Sequence, residues 1–269
     1  MPVMNPDIHL LQLTDPHLHA DPRGALRGVE TLATFREVVD HARRHHHAGL
    51  DALLVTGDIV NEEPEGYAHL RQLLGGWGMP VYCLPGNHDD PASMRTALSD
   101  APFQYCGHAD LGNWRLVLLD SVIPGEPGGH LDQRELERLE RLLIDSEGRR
   151  HVLIGMHHHP VGMGSRWIDR IGIDNAVDFF RLLDRFPHVR GVVWGHVHQA
   201  LDSHRNGVRL LATPATSSQF LPQANHFAID SRPPGYRRLT LKADGDIDTQ
   251  VIWLGTRAGE QIEPGRRAG

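Results

Sequence analysis

Short apolar runs alternate with amphipathic stretches along the first part of the chain. Apolar positions recur at helical spacing over residues 29–44 and again over residues 66–74, which predicts two helices that each bury one face. Compact apolar runs at residues 9–13, 51–55 and 80–84 predict strands. The resulting β-α-β-α-β order is typical of a parallel sheet covered by helices.

The same alternation continues as far as Trp194 and then stops. Strands are predicted at residues 114–120, 151–156 and 191–194, and helices at residues 131–144 and 175–186. Asp132 and Glu135 stand where an N-terminal cap of the first of these helices is expected. Beyond Trp194 we predict strands only, at residues 209–212, 226–229, 237–242 and 249–253, with hairpin turns at Asn206-Gly207 and Asp244-Gly245.

The pattern therefore predicts an α/β fold whose first part is completed by an antiparallel second sheet. No linker with a shift in composition separates the two parts, and no internal repeat occurs. We expect a single domain over residues 1–254 and a disordered Gly/Arg-rich tail over residues 255–269. A chain of 269 residues is long enough to bury a large core in this way.

Composition and charge exclude several classes of function. The hydrophobic fraction of 40% and the charged fraction of 23% are those of a globular protein. A formal net charge of −7 without a long basic run argues against partners such as nucleic acid or an anionic membrane. Two cysteines cannot form a disulfide framework, and neither a leader segment nor a bilayer-spanning apolar run is present, so we expect a cytoplasmic location.

Histidine is the unusual residue, with 20 copies against 7 Phe, 5 Trp and 4 Tyr. At five places a predicted strand is followed at once by a residue able to bind a metal ion. These places contain Asp15 and His17, Asp58, Asn87 and His88, His157, and His196 and His198. Because strand ends of an open α/β sheet converge on one crevice, these distant residues are expected to meet there.

One such block alone is weak evidence, because an Asp or His at a strand end is more often part of a turn or a cap. Five blocks at successive strand ends form a strong joint signal. Carboxylate, amide and imidazole donors without a thiolate suit iron, manganese or zinc. The glycines at positions 57, 86 and 195 allow the backbone to turn tightly beside a crowded site.

These blocks, in this order, resemble those of the calcineurin-like metallophosphoesterase superfamily, whose pattern runs D-x-H, G-D, G-N-H-D, H and G-H-x-H. The resemblance implies a four-layer αββα fold, with two sheets flanked by helices. It also implies two metal ions. One would be held by Asp15, His17, Asp58 and His198, and the other by Asp58, Asn87, His157 and His196, with Asp58 bridging.

In such a site, a hydroxide held between the metal ions attacks phosphorus in line. Two divalent ions, two aspartates and this hydroxide leave about one net positive charge, which matches a phosphodiester monoanion. His88 is assigned to neither metal ion and is the expected catalytic acid for the leaving group. Asp89 is expected either to orient His88 or to cap the helix after Pro91.

A closer resemblance extends to the class III cyclic nucleotide phosphodiesterases, and most specifically to the bacterial 3′,5′-cyclic AMP phosphodiesterases. It is carried by the flanking segments MHHHP at 156–160, FPHV at 186–189, GHVHQ at 195–199, RLLATP at 209–214 and PGYR at 234–237. The implied function is hydrolysis of cyclic AMP to 5′-AMP. The residues expected to bind this substrate are His17, Asp58, Asn87, His88, His158 and Phe220.

Other functions remain open at this point. Relatives hydrolyse glycerophosphodiesters or 2′,3′-cyclic nucleotides, and some members of the fold are inactive binding scaffolds. A protein phosphatase is disfavoured because Ile59-Val60-Asn61 replaces the Asp-Arg-Gly of that branch. For Phe220, packing in the second sheet is as good an explanation as stacking on a purine. The sequence also leaves the oligomeric state open, a dimer included.

Overall fold

The computed structural model describes residues 6–148 and 150–255. The strands are β1 (Ile8–Leu13), β2 (Ala25–Leu26), β3 (Val29–Glu30), β4 (Ala52–Thr56), β5 (Val81–Leu84), β6 (Phe103–Tyr105), β7 (Gly107–Leu111), β8 (Trp114–Leu118), β9 (His151–Gly155), β10 (Val189–Trp194), β11 (Leu201–Arg205), β12 (Val208–Ala212), β13 (Gln219–Phe220), β14 (Ile229–Asp230), β15 (Gly235–Leu241) and β16 (Ile247–Trp253). The helices are α1 (Thr31–His46), α2 (Tyr67–Leu74), α3 (Pro91–Ala97), α4 (Gln133–Ser146) and α5 (Ala176–Leu183).

Most of these strands form two mixed sheets of six strands each. The first sheet has the order β16-β15-β1-β4-β5-β6 and the second the order β11-β12-β10-β9-β8-β7. Strands β1, β4, β5 and β6 run parallel in the first sheet, and β8, β9, β10 and β12 in the second. The predicted two-sheet α/β class is therefore confirmed.

The expectation that the late strands build an antiparallel second sheet of their own is wrong. Strands β15 and β16 instead extend the first sheet next to β1, while β11 and β12 extend the second next to β10. Both hairpins have their turns where Asn206-Gly207 and Asp244-Gly245 predict them. A hairpin can pair with any open sheet edge, so the turn residues alone do not determine which sheet it joins.

The core consists of three apolar layers. The middle layer lies between the sheets and contains Leu10 and Leu54 from the first and Leu116 and Val193 from the second. The outer face of the first sheet packs against α1 to α3, and the outer face of the second against α4 and α5. This is the four-layer αββα arrangement. Both faces of the central strands are buried, which explains their continuous apolar runs.

A buried hydrogen-bond network joins the two sheets near the carboxyl ends of their parallel strands. The amide of Gln12 in β1 donates to Thr56 Oγ1 at 2.9 Å and to the carbonyl oxygen of Trp194 at 3.2 Å. Thr213 Oγ1 in turn donates to Gln12 Oε1 at 2.6 Å. These bonds hold the ends of β1, β4 and β10 side by side, which brings the loops that follow them to one place.

Details of the element boundaries follow local chemistry. Asp132 caps α4, as predicted, because its carboxylate accepts a hydrogen bond from the Glu135 amide at 2.7 Å. Of the strand predicted at 226–229, only Ile229 lies in a strand, as the first residue of β14. The predicted tail beyond Gly255 falls outside the described residues. None of the helices in residues 6–148 and 150–255 has both the length and the apolar character needed to cross a bilayer.

Candidate metal centre and substrate cavity

The seven predicted metal ligands lie together at the carboxyl ends of β1, β4, β5, β9 and β10. Six of them are buried, and Asn87 is half-buried. One group consists of Asp15, His17 and His198: the two Nε2 atoms are 3.2 Å apart, and His198 Nε2 lies 3.2 Å from Asp15 Oδ1. Two ligands of one ion at about 2.1 Å each are separated by about 3.0 to 3.4 Å, so the spacing fits a shared cation.

Asp58 stands at the centre of the site. Its Oδ2 atom lies 3.7 Å from His17 Nε2 and 3.3 Å from His157 Nε2, so it faces an imidazole on each side. Its other oxygen, Oδ1, accepts a hydrogen bond from the backbone amide of His88 at 2.9 Å, which fixes the carboxylate plane. Asp58 therefore lies between two imidazoles, a position from which its carboxylate could contact an ion on either side.

The ring orientations of two histidines direct Nε2 of each ring into the cluster. His157 Nδ1 donates to the carbonyl oxygen of Thr56 at 2.8 Å, and His198 Nδ1 to that of Ser218 at 2.7 Å. Such bonds place a proton on Nδ1 and direct Nε2 toward an ion. Histidines that bind metal ions are commonly held in this way, with the other ring N–H donating to a carbonyl oxygen or a carboxylate.

Several buried polar atoms have no hydrogen-bond partner anywhere in the described part of the chain. They include Nε2 of His196 and Oδ1 of Asn87. Burying a polar atom without a partner costs about 1–3 kcal/mol, so two at one place call for a bound group that contacts them. Their chemistry, imidazole nitrogen and amide oxygen beside two carboxylates, fits divalent iron, manganese or zinc.

The backbone at the site is strained. Five of the seven predicted ligands have positive φ angles: 52° at Asp15, 48° at His17, 48° at Asp58, 66° at His196 and 46° at His198. A left-handed conformation at a residue other than glycine costs on the order of 1–3 kcal/mol and concentrates at functional sites. The strand ends thus turn sharply so that side chains from separate strands point inward.

Two glycines of the predicted blocks are required by close packing. A Cβ atom on Gly195 would lie 2.1 Å from Thr14 Oγ1 and 2.6 Å from Asp15 Oδ2. A Cβ atom on Gly86 would lie 2.2 Å from Asp58 Oδ1. Any larger residue at either position would push a carboxylate of the site out of place.

Electrostatics keep most donors in the protonation state that a metal ion needs. Burial lowers the pKa of His17 to about 3, so its ring is neutral. Burial opposes charge on Asp58, yet the facing His157 outweighs it and holds the Asp58 pKa well below its usual range. Burial also opposes charge on His157, but the Asp58 carboxylate raises the pKa of that ring to about 9. The proton on His157 supplies positive charge beside Asp58, and a bound cation would take the place of that proton.

His88, the predicted catalytic acid, lies at the edge of this cluster. Its ring is one-third exposed and meets the His17 ring edge to face, with centroids 4.9 Å apart. Its Nδ1 atom lies 3.5 Å from Glu62 Oε1, and the Glu62 amide donates to the His88 carbonyl oxygen at 3.2 Å. The pattern of strands and blocks gave no signal for Glu62, because it comes from the irregular loop after β4.

Asp89 has neither of the two roles considered for it. It accepts hydrogen bonds from the backbone amides of Gly86 and Ile59, at 2.9 and 3.1 Å, and from the Tyr67 hydroxyl at 2.8 Å. The cap of α3 is Asp90, whose carboxylate accepts from the Ser93 amide. Asp89 therefore ties the loops after β4 and β5 to each other, beneath the ligands that they carry.

The open side of the cluster faces a cavity that only some predicted residues reach. Its lining consists of His17, Leu26, Arg27, Asp58, Asn87, His88, Pro127, Trp167, Ile168, Ile171, His196, His198 and Phe220. Of the six predicted substrate contacts, five are in this lining. The exception is His158, which is fully buried behind the ligands and donates to or accepts from Ser121 Oγ at 2.8 Å. Its position does not support a substrate contact.

A larger cavity lies elsewhere, with a volume of about 680 Å³ against about 150 Å³ for the cavity at the ligands. It is bordered by α4 and lined by arginines that include Arg95, Arg134 and Arg141. None of the predicted site residues lines it. The chemistry of the ligand cluster, rather than cavity size, identifies the smaller cavity as the candidate active site.

Comparison with known proteins gives a family match over most of the chain. The model of the calcineurin-like phosphoesterase family matches residues 8–200. The chain is 40% identical over 246 residues to the 3′,5′-cyclic adenosine monophosphate phosphodiesterase CpdA of Escherichia coli (strain K12), covering 91% of this chain and 89% of that protein. For CpdA of Pseudomonas aeruginosa the identity is 40% over 253 residues, covering 93% and 91%. A 3′,5′-cyclic-nucleotide phosphodiesterase of Nostoc sp. (strain PCC 7120) is 35% identical over 248 residues, covering 91% of each chain.

Solved structures support the same fold. A dimetal phosphatase from Danio rerio superimposes with a TM-score of 0.63 at 15% identity, covering 91% of this chain and 99% of that one. GAP50, described as the anchor in the inner membrane complex of Plasmodium, superimposes with a TM-score of 0.66 at 12% identity, covering 96% and 87%. At these identities the likeness concerns the fold alone, which an enzyme and an anchor share.

Proposed function

The chain belongs to the calcineurin-like phosphoesterase family, and from this premise we propose that it is a dinuclear-metal phosphodiesterase that hydrolyses 3′,5′-cyclic AMP to 5′-AMP. The observation that carries the reaction type is the convergence of seven oxygen and nitrogen donors from five strand ends around the Asp58 carboxylate. The similarity to cyclic-nucleotide phosphodiesterases along most of the chain supports the substrate. We further propose that the protein acts in the cytoplasm.

The metal ions of this proposal are iron or manganese, with zinc as a further candidate. One would be held by Asp15, His17, Asp58 and His198, and the other by Asp58, Asn87, His157 and His196. When bound, two such ions activate a water molecule as the nucleophile and neutralise the charge that develops on the phosphoryl oxygens. The orphaned nitrogen and oxygen atoms of the cluster support this assignment.

The role of His88 in the proposal is to supply the proton for the leaving oxygen of the sugar. The ring lies in the cavity wall next to His17 and is partly exposed, so a substrate can reach it. Glu62 Oε1 lies 3.5 Å from Nδ1, which leaves Nε2 directed away from the carboxylate. General acid catalysis from Nε2 is typically worth about 10²–10⁴ in rate.

The remaining cavity wall would orient the substrate. His17, Asp58, Asn87 and His88 border the space in which the phosphodiester must lie. Apolar side chains such as Trp167, Ile168 and Ile171 border the rest and exclude water from the reacting centre. We propose that the nucleoside part of the substrate lies against this apolar part.

Product analysis tests the proposal. The purified protein in manganese buffer is given 3′,5′-cyclic AMP, cyclic GMP, 2′,3′-cyclic AMP and a glycerophosphodiester at equal concentration, and the products are separated and quantified. We expect 5′-AMP from 3′,5′-cyclic AMP, and no turnover by a His157→Ala control that lacks one metal ligand. Exclusive turnover of the glycerophosphodiester or of 2′,3′-cyclic AMP would replace the substrate assignment. Absence of turnover by a protein with two bound metal ions would favour a binding scaffold.

A further inference from the structure

The apolar part of the cavity is closed by two short hairpins that contact each other. The first is β2-β3, whose two-residue turn has φ angles of 53° at Arg27 and 82° at Gly28, as in a tight type I′ hairpin. The second contains β13 and β14, with Phe227 in its loop. The Arg27 guanidinium lies over the Phe227 ring at 4.1 Å from the centroid, which joins the two hairpins by a cation–π contact.

A continuous series of rings connects these hairpins to the metal centre. Phe220 stacks on His198 with centroids 4.0 Å apart, and Trp167 meets both Phe220 and Phe227 edge to face at 5.1 Å. One ring, that of Phe220, therefore separates Trp167 from the proposed ligand His198, and two rings, those of Phe220 and Phe227, separate Arg27 from it. Trp167 and Arg27 line the same cavity as His17 and Asp58, so a group bonded to a phosphoryl oxygen at the metal centre would extend toward them.

Trp167 carries a polar atom that the folded chain leaves unused. Its Nε1 is buried and has no hydrogen-bond partner among the described residues, although the side chain lines the cavity. Buried indole N–H groups usually find a partner, so an acceptor on a bound ligand is expected beside it. The ring nitrogens of a purine are such acceptors.

Arg27 offers the second unused group. Arg27 is an exposed residue of the cavity lining, and among the described residues no hydrogen bond or ion pair holds its guanidinium, which lies with one face on the Phe227 ring. A guanidinium stacked on one ring has a second face free for another planar group, while its N–H groups can reach acceptors on the edge of that group. A nucleobase meets both requirements, whereas a glycerol moiety provides no planar ring.

From these observations we propose that Trp167 and Arg27 form a subsite for the purine ring of the substrate, with Trp167 Nε1 donating to a ring nitrogen and the Arg27 guanidinium covering one face. The apolar neighbours Leu26, Ile168 and Ile171 complete the slot. This inference rests on the proposed function, because it takes the substrate to be a purine nucleotide. It also assigns base recognition to Trp167 and Arg27 and not to Phe220, because His198 covers one face of the Phe220 ring.

Equilibrium binding of two probes to the metal-loaded protein separates the subsite from the metal centre. 5′-AMP and inorganic phosphate share the phosphate and differ in the nucleoside. Trp167→Phe keeps an aromatic ring and removes only the N–H, and Arg27→Leu removes the guanidinium. Loss of one hydrogen bond or stacked contact weakens binding by roughly 3- to 10-fold. We expect this loss for 5′-AMP in each variant, with a much smaller change for phosphate.

The matched control is Arg23→Leu, which removes an exposed arginine from the same segment outside the cavity lining and should bind both probes as the parent protein does. Unchanged 5′-AMP affinity in both variants would overturn the subsite. Equal weakening of 5′-AMP and phosphate would also overturn it, because it would show damage to the metal centre instead. The parent protein's turnover of cyclic AMP is measured alongside. If the parent hydrolyses cyclic AMP while the variants bind 5′-AMP normally, only the subsite is refuted; if the parent fails on cyclic AMP, the proposed function fails with it.

Discussion

The phenyl ring of Phe220 lies flat against the imidazole of His198, with centroids 4.0 Å apart and ring planes 4° apart. Phe220 is only 8% exposed, and its backbone amide donates to the carbonyl oxygen of His198 at 3.2 Å. The ring thus supports a proposed metal ligand from the side. This arrangement favours the packing role for Phe220 over purine stacking.

Phe220→Ala is therefore expected to lower activity on cyclic AMP and on a small model phosphodiester in parallel. Groups that orient metal ligands from outside typically contribute 10- to 100-fold in metal affinity or activity, and a loss of about that size is expected here. Steady-state kinetics on both substrates checks this, with Ile229→Ala, an exposed change on the same hairpin, as the control. A rise in KM confined to cyclic AMP would return base recognition to Phe220.

Asp58 faces imidazoles on both sides, which predicts unequal effects of two ligand substitutions. Asp58→Ala should empty or scramble both metal positions, whereas His198→Ala should weaken mainly one. Metal analysis of the two purified variants after equal dialysis measures this difference. Retention of two metal ions and a near-normal rate by Asp58→Ala would show that Asp58 does not bridge.

The pair of His88 and Glu62 predicts a dependence on the leaving group. His88→Ala should retain both metal ions but lose about 10²–10⁴ in kcat on cyclic AMP, because a poor leaving group needs a proton. A nitrophenyl ester needs little protonation and should lose much less. Glu62→Gln should give the same selectivity with a smaller loss. Equal losses on both substrates would count against an acid role for His88.

Gly195 is predicted to accept no side chain, because an added Cβ would lie 2.1 Å from Thr14 Oγ1 and 2.6 Å from Asp15 Oδ2. Gly195→Ala should displace the Asp15 carboxylate and reduce both metal content and activity by at least about tenfold. Gly76→Ala is the matched control, since the added Cβ would have only Arg43 Nη2 nearby, at 3.9 Å. Normal metal content in Gly195→Ala would show that the site can accommodate the added methyl group.

The sequence predicted that the candidate ligands would lie together, because few residue types bind metal ions and because parallel strands end at a common edge. Asp15 and His198 are 183 positions apart in the sequence, yet each follows a strand that the apolar pattern identifies.

Other features had no such signal. Glu62, Trp167 and Arg27 reach the site from irregular loops and a two-residue turn, where neither periodicity nor spacing predicts a side-chain position. The placement of β15 and β16 beside β1 depends on which sheet edge is open in the folded protein, which local sequence does not encode. His158 was expected in the cavity because it neighbours His157, but consecutive residues at a strand end point in different directions.

We propose that the five strand ends build one site for two metal ions around Asp58. Anomalous diffraction from crystals grown with manganese locates each ion independently of activity. We expect two peaks, one on each side of the Asp58 carboxylate, the first next to Asp15, His17 and His198 and the second next to Asn87, His157 and His196. A single peak, or two peaks that do not share Asp58, would contradict the proposed site.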